Sequence, residues 1–375
     1  MSDLREDIRT LTESGLHPAR TIRASLADTG KDAVGCFPIY TPEEIVYAGG
    51  FLPVGMWGGR TEITLADAYL QGFCCPIMKA NLEYGLNGTY RFLKAVLIPT
   101  LCDTLKCVCE NWKSAVPSIP MIGVAYPQAR WTKAGKDYLI SEYKRVRSDL
   151  EKATGRLIAD AMVEEAFRLY EGYRASMREF TEAAKRHPVT IDAKTRHLLI
   201  KAGYFMDKAR YTPIIRRITE GLNLAPAERF QGIRAIAVGL IGEPFEVLDI
   251  LSENGIAIVN DDLAQESRQF RTPARAEGDV WERMAGLILD RKGCAFLCER
   301  KKTKGPMLID MARRDEARAV IVMMMKFCDP EEFDYPIYKA QLEREGIPHL
   351  LLEVEQRPDS FEQLRTRIQS FAEML

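Results

Sequence analysis

Two segments of this chain share one pattern, an apolar β-run that ends in Cys-Asp and passes directly into a helix start: KAVLIPTLCD at 94–103 and VIVMMMKFCDPEEF at 320–333. No other feature restricts the fold as much. A short, bounded, apolar run of this kind suits a parallel strand covered on both faces, and parallel strands need helical crossovers. In the second segment Asp329 reads as an N-cap, Pro330 as the first helical residue and Glu332 as the capping-box partner. The same pattern makes Asp103 the N-cap in the first. Cys102 and Cys328 are therefore expected at carboxyl ends of buried strands, beside helix N-termini, where ligands bind in open α/β sheets. Two sheets would offer equivalent strand ends to one site.

A chain of 375 residues is too long for one ordinary core, so two or three domains are expected. Strand-like runs at 234–242, 255–263, 319–327 and 347–355 alternate with helical patterns, and further runs lie at 51–57, 94–103 and 120–126. That alternation predicts an α/β fold of two doubly wound parallel-sheet domains with additional N-terminal and central helices. The expected layout is an N-terminal helical segment at 1–30, a first α/β domain at 31–135, a helical region at 136–224 and a second α/β domain at 225–375. Residues 3–28 read as one or two amphipathic helices without chemistry of their own. Charges along the periodic exposed faces of the central region suit solvated or interdomain helices.

The stretch GCFPIYTPEEIVYAGGFLPVGMWGG at 35–59 carries more turn signals. Thr41, Pro42 and Glu44 read as a capping box and Gly49–Gly50 as the helix end. A tight helix-to-strand connection and a ligand-facing turn remain equally open there. Farther on, Cys75 stands where an N-cap stands, with Pro76 as first helical residue.

Several function classes fall away. A net charge of -1 leaves no electrostatic footprint for nucleic acid. No apolar stretch approaches the roughly 18 residues that span a bilayer, and MSDLREDIRT lacks a signal-peptide core, so a cytoplasmic protein without membrane or nucleic-acid partners is expected. There is no G-x-x-x-x-G-K-[ST] loop, no strand-following G-x-G-x-x-G and no G-x-S-x-G elbow. The histidines at 17, 187, 197 and 349 show no metal-ligand spacing.

Nine cysteines remain, at 36, 74, 75, 102, 107, 109, 294, 298 and 328. Their odd count and irregular spacing do not describe a disulfide framework. Tight C-x-x-C iron-sulfur runs are missing. Cys107 and Cys109 fall on different faces of a helical pattern, while Cys294 and Cys298, one turn apart, read as core. Taken singly each cysteine is ordinarily a buried core thiol. Placement sets Cys75, Cys102 and Cys328 above the others as a candidate metal site beside that core reading, each ahead of a helix whose dipole and free N–H groups stabilise thiolate.

TPEEIVYAGGFLPVGMWGG, CPIMKANLEYGL, VLIPTLCD and KFCDPEEFDYPIYKAQLEREGIPHLLLEVE together resemble the 2-hydroxyacyl-CoA dehydratase family, which also contains benzoyl-CoA reductase subunits. The resemblance runs from about residue 35 through most of the chain, to the shorter, β-type subunit. It implies a 4Fe-4S cluster in the interdomain cleft, held by Cys75, Cys102 and Cys328, with one iron open or bound to a non-protein ligand. Cys74 is a departure from the motif that leaves 74 or 75 open, with the following proline favouring Cys75. It also implies a larger α-type subunit that carries most of the acyl-CoA site and an ATP-dependent iron-sulfur activator as transient donor. The implied reaction is radical dehydration of a (R)-2-hydroxyacyl-CoA, such as 2-hydroxyisocaproyl-CoA, to the (E)-2-enoyl-CoA. One-electron reduction of the thioester to a ketyl is what acidifies the otherwise unactivated β-proton, and this subunit would relay the electron. The catalytic residues stay unassigned, and Glu43, Asp103 and Asp329 read as caps. A benzoyl-CoA reductase-type subunit and a non-catalytic two-domain α/β binding module are the alternatives.

Overall fold

Apolar runs alternating with helical periodicity fold here into two parallel sheets. The structure, a computed structural model, describes residues 2–375. Helices α1 (Ser2–Leu16) and α2 (Pro18–Thr29) precede β1 (Asp32–Cys36), α3 (Glu43–Ala48), β2 (Phe51–Gly55), α4 (Pro76–Leu86), β3 (Leu93–Pro99), α5 (Asp103–Ala115) and β4 (Met121–Val124). Then come α6 (Lys133–Thr154), α7 (Asp160–Ala184), α8 (Ala193–Ala202) and α9 (Lys208–Leu224). The rest is β5 (Ile233–Gly239), α10 (Phe245–Glu253), β6 (Ile256–Leu263), α11 (Ser267–Phe270), α12 (Val280–Leu289), α13 (Lys304–Arg314), β7 (Ala319–Met325), α14 (Asp329–Arg344), β8 (His349–Val354) and α15 (Glu362–Glu373).

The first sheet has the order β2-β1-β3-β4 and the second β6-β5-β7-β8, both parallel throughout. Strand order reverses between β1 and β3 in one and between β5 and β7 in the other. These are the topological switch points at which open sheets bind ligands. All seven residues of β7 are buried, as expected for a strand covered on both faces. Side chains from both sheets share one continuous apolar core. A second core lies among α1, α7, α8 and α9, and a third on the other face of the second sheet. Helix α1 thus packs on the central helical region, while Ile22 and Leu26 of α2 pack against the core shared by the sheets. At the end of β5, Gly239 has φ +146, and a Cβ there would run into the Met323 carbonyl of β7. Only glycine lets these two strand ends approach so closely.

Three helix starts differ from the sequence expectation. Cys102, not Asp103, is the N-cap of α5, and Cys328, not Asp329, is the N-cap of α14. Each aspartate is the first helical residue instead, where its charge meets the positive end of the helix dipole. Pro330 is accordingly the second helical residue, and no side-chain cap forms on α14. The capping box at Thr41 is also absent. Pro42 is the N-cap of α3, Thr41 donates to the Phe37 carbonyl at 2.6 Å, and Glu44 is buried against Arg174 at 2.6 Å. Glu43 likewise starts α3 rather than capping it, and it accepts from Tyr170 at 3.0 Å.

The two sheets are tied across their facing ends. Gln356, just beyond β8, donates to the Trp57 carbonyl at 3.0 Å and to Glu243 at 3.2 Å, and it accepts from Gly59 N–H at 3.0 Å. The Arg130 guanidinium donates to the carbonyls of Ile288, Leu289 and Cys298 and pairs with Glu299. This anchors the 290–303 segment beside the first sheet.

Candidate functional site

Both switch points open onto one cavity. Pro38 and Ile39 follow β1, Trp57 follows β2, Cys102 follows β3, Leu240 follows β5, Ala264 follows β6 and Cys328 follows β7, and all of them line it. Its wall is mainly apolar. Cys75, at the start of α4, is the third cysteine of the lining. Cys75, Cys102 and Cys328 are thus brought to one cavity from three separate connections.

Each of the three is the N-cap residue of its helix. The Cys102 Sγ accepts from the Leu105 N–H at 3.4 Å. The N–H groups of Met78 and Glu331, also three residues on, pull the Cys75 and Cys328 thiols toward ionisation without reaching hydrogen-bond geometry. Burial is the larger influence. It pushes Cys75 up to about 12 and Cys102 up to about 11, and it holds Cys328 well above the ordinary thiol range. Cys75 and Cys102 raise Cys328 further, so the sulfurs lie within electrostatic reach of one another. Left alone these are neutral thiols. As thiolates they need a cation, because three desolvated negative charges do not otherwise share one cavity.

Among the described residues, no group of three or more His, Cys, Asp or Glu converges tightly enough for one metal ion. Thiols spaced around a cavity rather than about a point suit a polynuclear group, in which different irons take different thiolates. On donor chemistry, helix placement and apolar enclosure, these residues fit an iron-sulfur cluster.

The remaining cysteines do not join them. Cys74 is buried outside the cavity wall, and its thiol donates to Gln71 Oε1 at 3.5 Å. Cys36 ends β1 in the core, and Cys107 and Cys109 lie on α5. The sequence pattern puts Cys294 and Cys298 in the core one helical turn apart, but no helix forms there and Cys298 is exposed. Cys294 is buried and accepts from Tyr40 Oη at 2.8 Å. Asp329 is at the rim and lines the cavity, whereas Asp103 points to solvent.

A buried ionic cluster behind Cys328 escaped sequence reasoning. Glu331, three residues beyond Cys328, pairs with Arg268 at 2.5 Å and with Lys304 at 2.8 Å. Arg268 also holds Asp262 at 2.8 Å. Arg268 and Lys304 keep the fully buried Glu331 and Asp262 carboxyls below their ordinary range despite burial. The available signal was Asn260-Asp261-Asp262 at the end of an otherwise apolar strand, since acids are rarely buried unless paired. Phe327, at φ +60, occupies the left-handed region just ahead of Cys328. A bulky residue there is strained, and the strain sits in the turn that aims this cysteine.

A family profile described as 2-hydroxyglutaryl-CoA dehydratase, D-component, matches residues 38–375. The lactoyl-CoA dehydratase beta subunit of Anaerotignum propionicum is 41% identical over 377 aligned positions, covering 100% of each chain. The (R)-phenyllactyl-CoA dehydratase beta subunit of Clostridium sporogenes is 39% identical, covering 98% of each. A benzoyl-CoA reductase subunit of Thauera aromatica is 24% identical, covering 93% of this chain and 92% of its own.

Proposed function

Since this chain belongs to the 2-hydroxyglutaryl-CoA dehydratase D-component family, we propose that it is the β-type subunit of a radical 2-hydroxyacyl-CoA dehydratase. The reaction is loss of water from a (R)-2-hydroxyacyl-CoA to give the (E)-2-enoyl-CoA, with 2-hydroxyisocaproyl-CoA as the substrate class we favour, as in amino-acid fermentation by an anaerobe. The observation that carries this reading is the meeting of Cys75, Cys102 and Cys328 at one apolar cavity between two switch points.

Cys75, Cys102 and Cys328 would hold a 4Fe-4S cluster, which when bound supplies one-electron redox chemistry. The three helix N-termini present N–H groups to the sulfurs and stabilise negative charge there. Ile39, Trp57, Leu240, Ala264 and Phe296 wall the cavity and exclude water, which strengthens every electrostatic interaction inside. Glu331 ties the first turn of α14 to Arg268 and Lys304, and so fixes the orientation of Cys328. The acyl-CoA site lies mainly on a larger α-type subunit, and an ATP-dependent iron-sulfur activator acts as a transient donor.

A ring-reducing benzoyl-CoA reductase subunit would need the same cysteines, but the dehydratase β subunits are the nearer relatives, at 39% and 41% identity against 24%. Assay of the heterodimer with activator and ATP separates the two. Dehydration of 2-hydroxyacyl-CoA without reduction of benzoyl-CoA is expected, and the reverse outcome contradicts the dehydratase reading.

A further inference from the structure

Five arginines are buried, at positions 130, 174, 196, 268 and 291. Four have carboxylate partners: Arg130 with Glu299, Arg174 with Glu44, Arg196 with Asp261 and Arg268 with Asp262. Arg291 has none among the described residues. It is 3% exposed, and its Nε and Nη1 have no hydrogen-bond partner. An unpaired buried guanidinium is costly, and natural proteins ordinarily provide it with a counter-ion.

The position of Arg291 indicates what that counter-ion is. Its guanidinium lies 4.0 Å over the Tyr40 ring. Tyr40 directly follows Pro38 and Ile39 of the cavity wall, and its hydroxyl donates to Cys294, two residues before the wall residue Phe296. A cation–π contact partly offsets the burial of a cation, but the ring carries no net charge. Ile39 and Phe296, the wall residues near Tyr40 and Cys294 in the chain, line the same cavity as the three cysteines. Three thiolates outweigh the positive charge of an oxidised 4Fe-4S core, so the assembled group is an anion, and the electron it accepts from an external one-electron donor adds one further negative charge.

We propose that Arg291 is the buried counter-charge of the group held by Cys75, Cys102 and Cys328, and that it raises the reduction potential of that group. This rests on the ligand assignment proposed above. In a water-excluded site a fixed positive charge favours the more negative, reduced state. Arg291 is thus a positioning and tuning residue that does not itself touch substrate.

The test is an EPR-monitored titration of the full-length chain, purified anaerobically, against low-potential viologen mediators, with iron content measured on each sample. Arg291→Gln and Arg291→Met remove the charge; Arg291→Lys retains it. At the wild-type midpoint the neutral variants should show at least a tenfold lower ratio of reduced to oxidised cluster, equivalent to about 59 mV for a one-electron couple. Arg291→Lys should stay within about twofold of wild type by the same relation. Iron loss from the neutral variants but not from Arg291→Lys also supports a counter-charge. Neutral variants at the wild-type potential, or an Arg291→Lys chain that behaves like them, overturn the proposal while leaving the ligand assignment intact. An iron-free wild-type chain overturns both.

Discussion

Burial keeps Cys75, Cys102 and Cys328 in the neutral thiol form until something positive joins them, and the side chains around them are arranged by charge. Glu331 is the clearest case. It is fully buried between Arg268 and Lys304, so its removal leaves two cations facing each other with a carboxylate missing. Replacing one partner of a buried pair costs about 3–5 kcal/mol. Glu331→Gln should lose stability of that order in urea unfolding, while Glu332→Gln on the solvent side of the same turn should change little. Equal losses at the two positions would show that the buried network contributes no more than surface charge.

At the level of elements, most strands were legible, as was the Cys75 cap followed by Pro76, but the caps of α3, α5 and α14 were not. Every strand except β1 overlaps a run that reads as strand from its apolar residues, because a buried parallel strand has little alternative composition. β1 is only DAVGC, and its glycine weakens the strand signal. The reason for that glycine is tertiary, since a Cβ at Gly35 would collide with the Met56 sulfur. The central helices were plain from their charge periodicity. Cap assignments failed by one residue at 102–103 and 328–329. Aspartate is the stronger capping residue, yet here cysteine takes the cap position, and the aspartate moves into the first turn. Sequence order alone does not distinguish an N-cap aspartate from one at the first helical position. At Thr41 and Glu44 the capping pattern was present, but a tertiary contact, Glu44 with Arg174, claimed the acid. Placement ahead of a helix start grouped Cys75 with the other two, and the family motif then gave the three a cluster to hold. The strand ends also give a direct test. Gly239→Ala should destabilise the chain by about 1–3 kcal/mol from its φ alone, and more from the collision with the Met323 carbonyl. An unchanged urea midpoint would mean that β5 and β7 do not close as described.

The whole molecule is two sheets whose strand ends face one another, joined by Gln356 and Arg130, while the second sheet is held to the central helices by a buried acid-base group around Glu243 and His197. Burial opposes ionisation of both. Lys201 and His197 nevertheless bring Glu243 down from 4.5 to about 2, and Glu243 and Glu266 raise His197 above 6.5. The signs are opposite. The depressed carboxyl adds stability that is present above about pH 4.5 and is lost as pH falls toward 2. The raised imidazole adds stability that is present below about pH 6.5 and is lost as pH rises through its folded value. Melting temperature should therefore be highest between these limits, and His197→Gln should flatten the fall above about pH 6.5. A His197→Gln chain that keeps the full alkaline decline would remove this histidine from the pH response. Among the described residues no helix is long and apolar enough to cross a membrane.

That three cysteines from separate connections hold one cluster is tested by iron and acid-labile sulfide analysis of the anaerobically purified chain, wild type beside Cys328→Ser and Cys74→Ser. The expected result is a full cluster complement in wild type and Cys74→Ser, and loss of most iron and sulfide in Cys328→Ser. An iron-free wild-type chain, or a Cys328→Ser chain with undiminished iron, would contradict it.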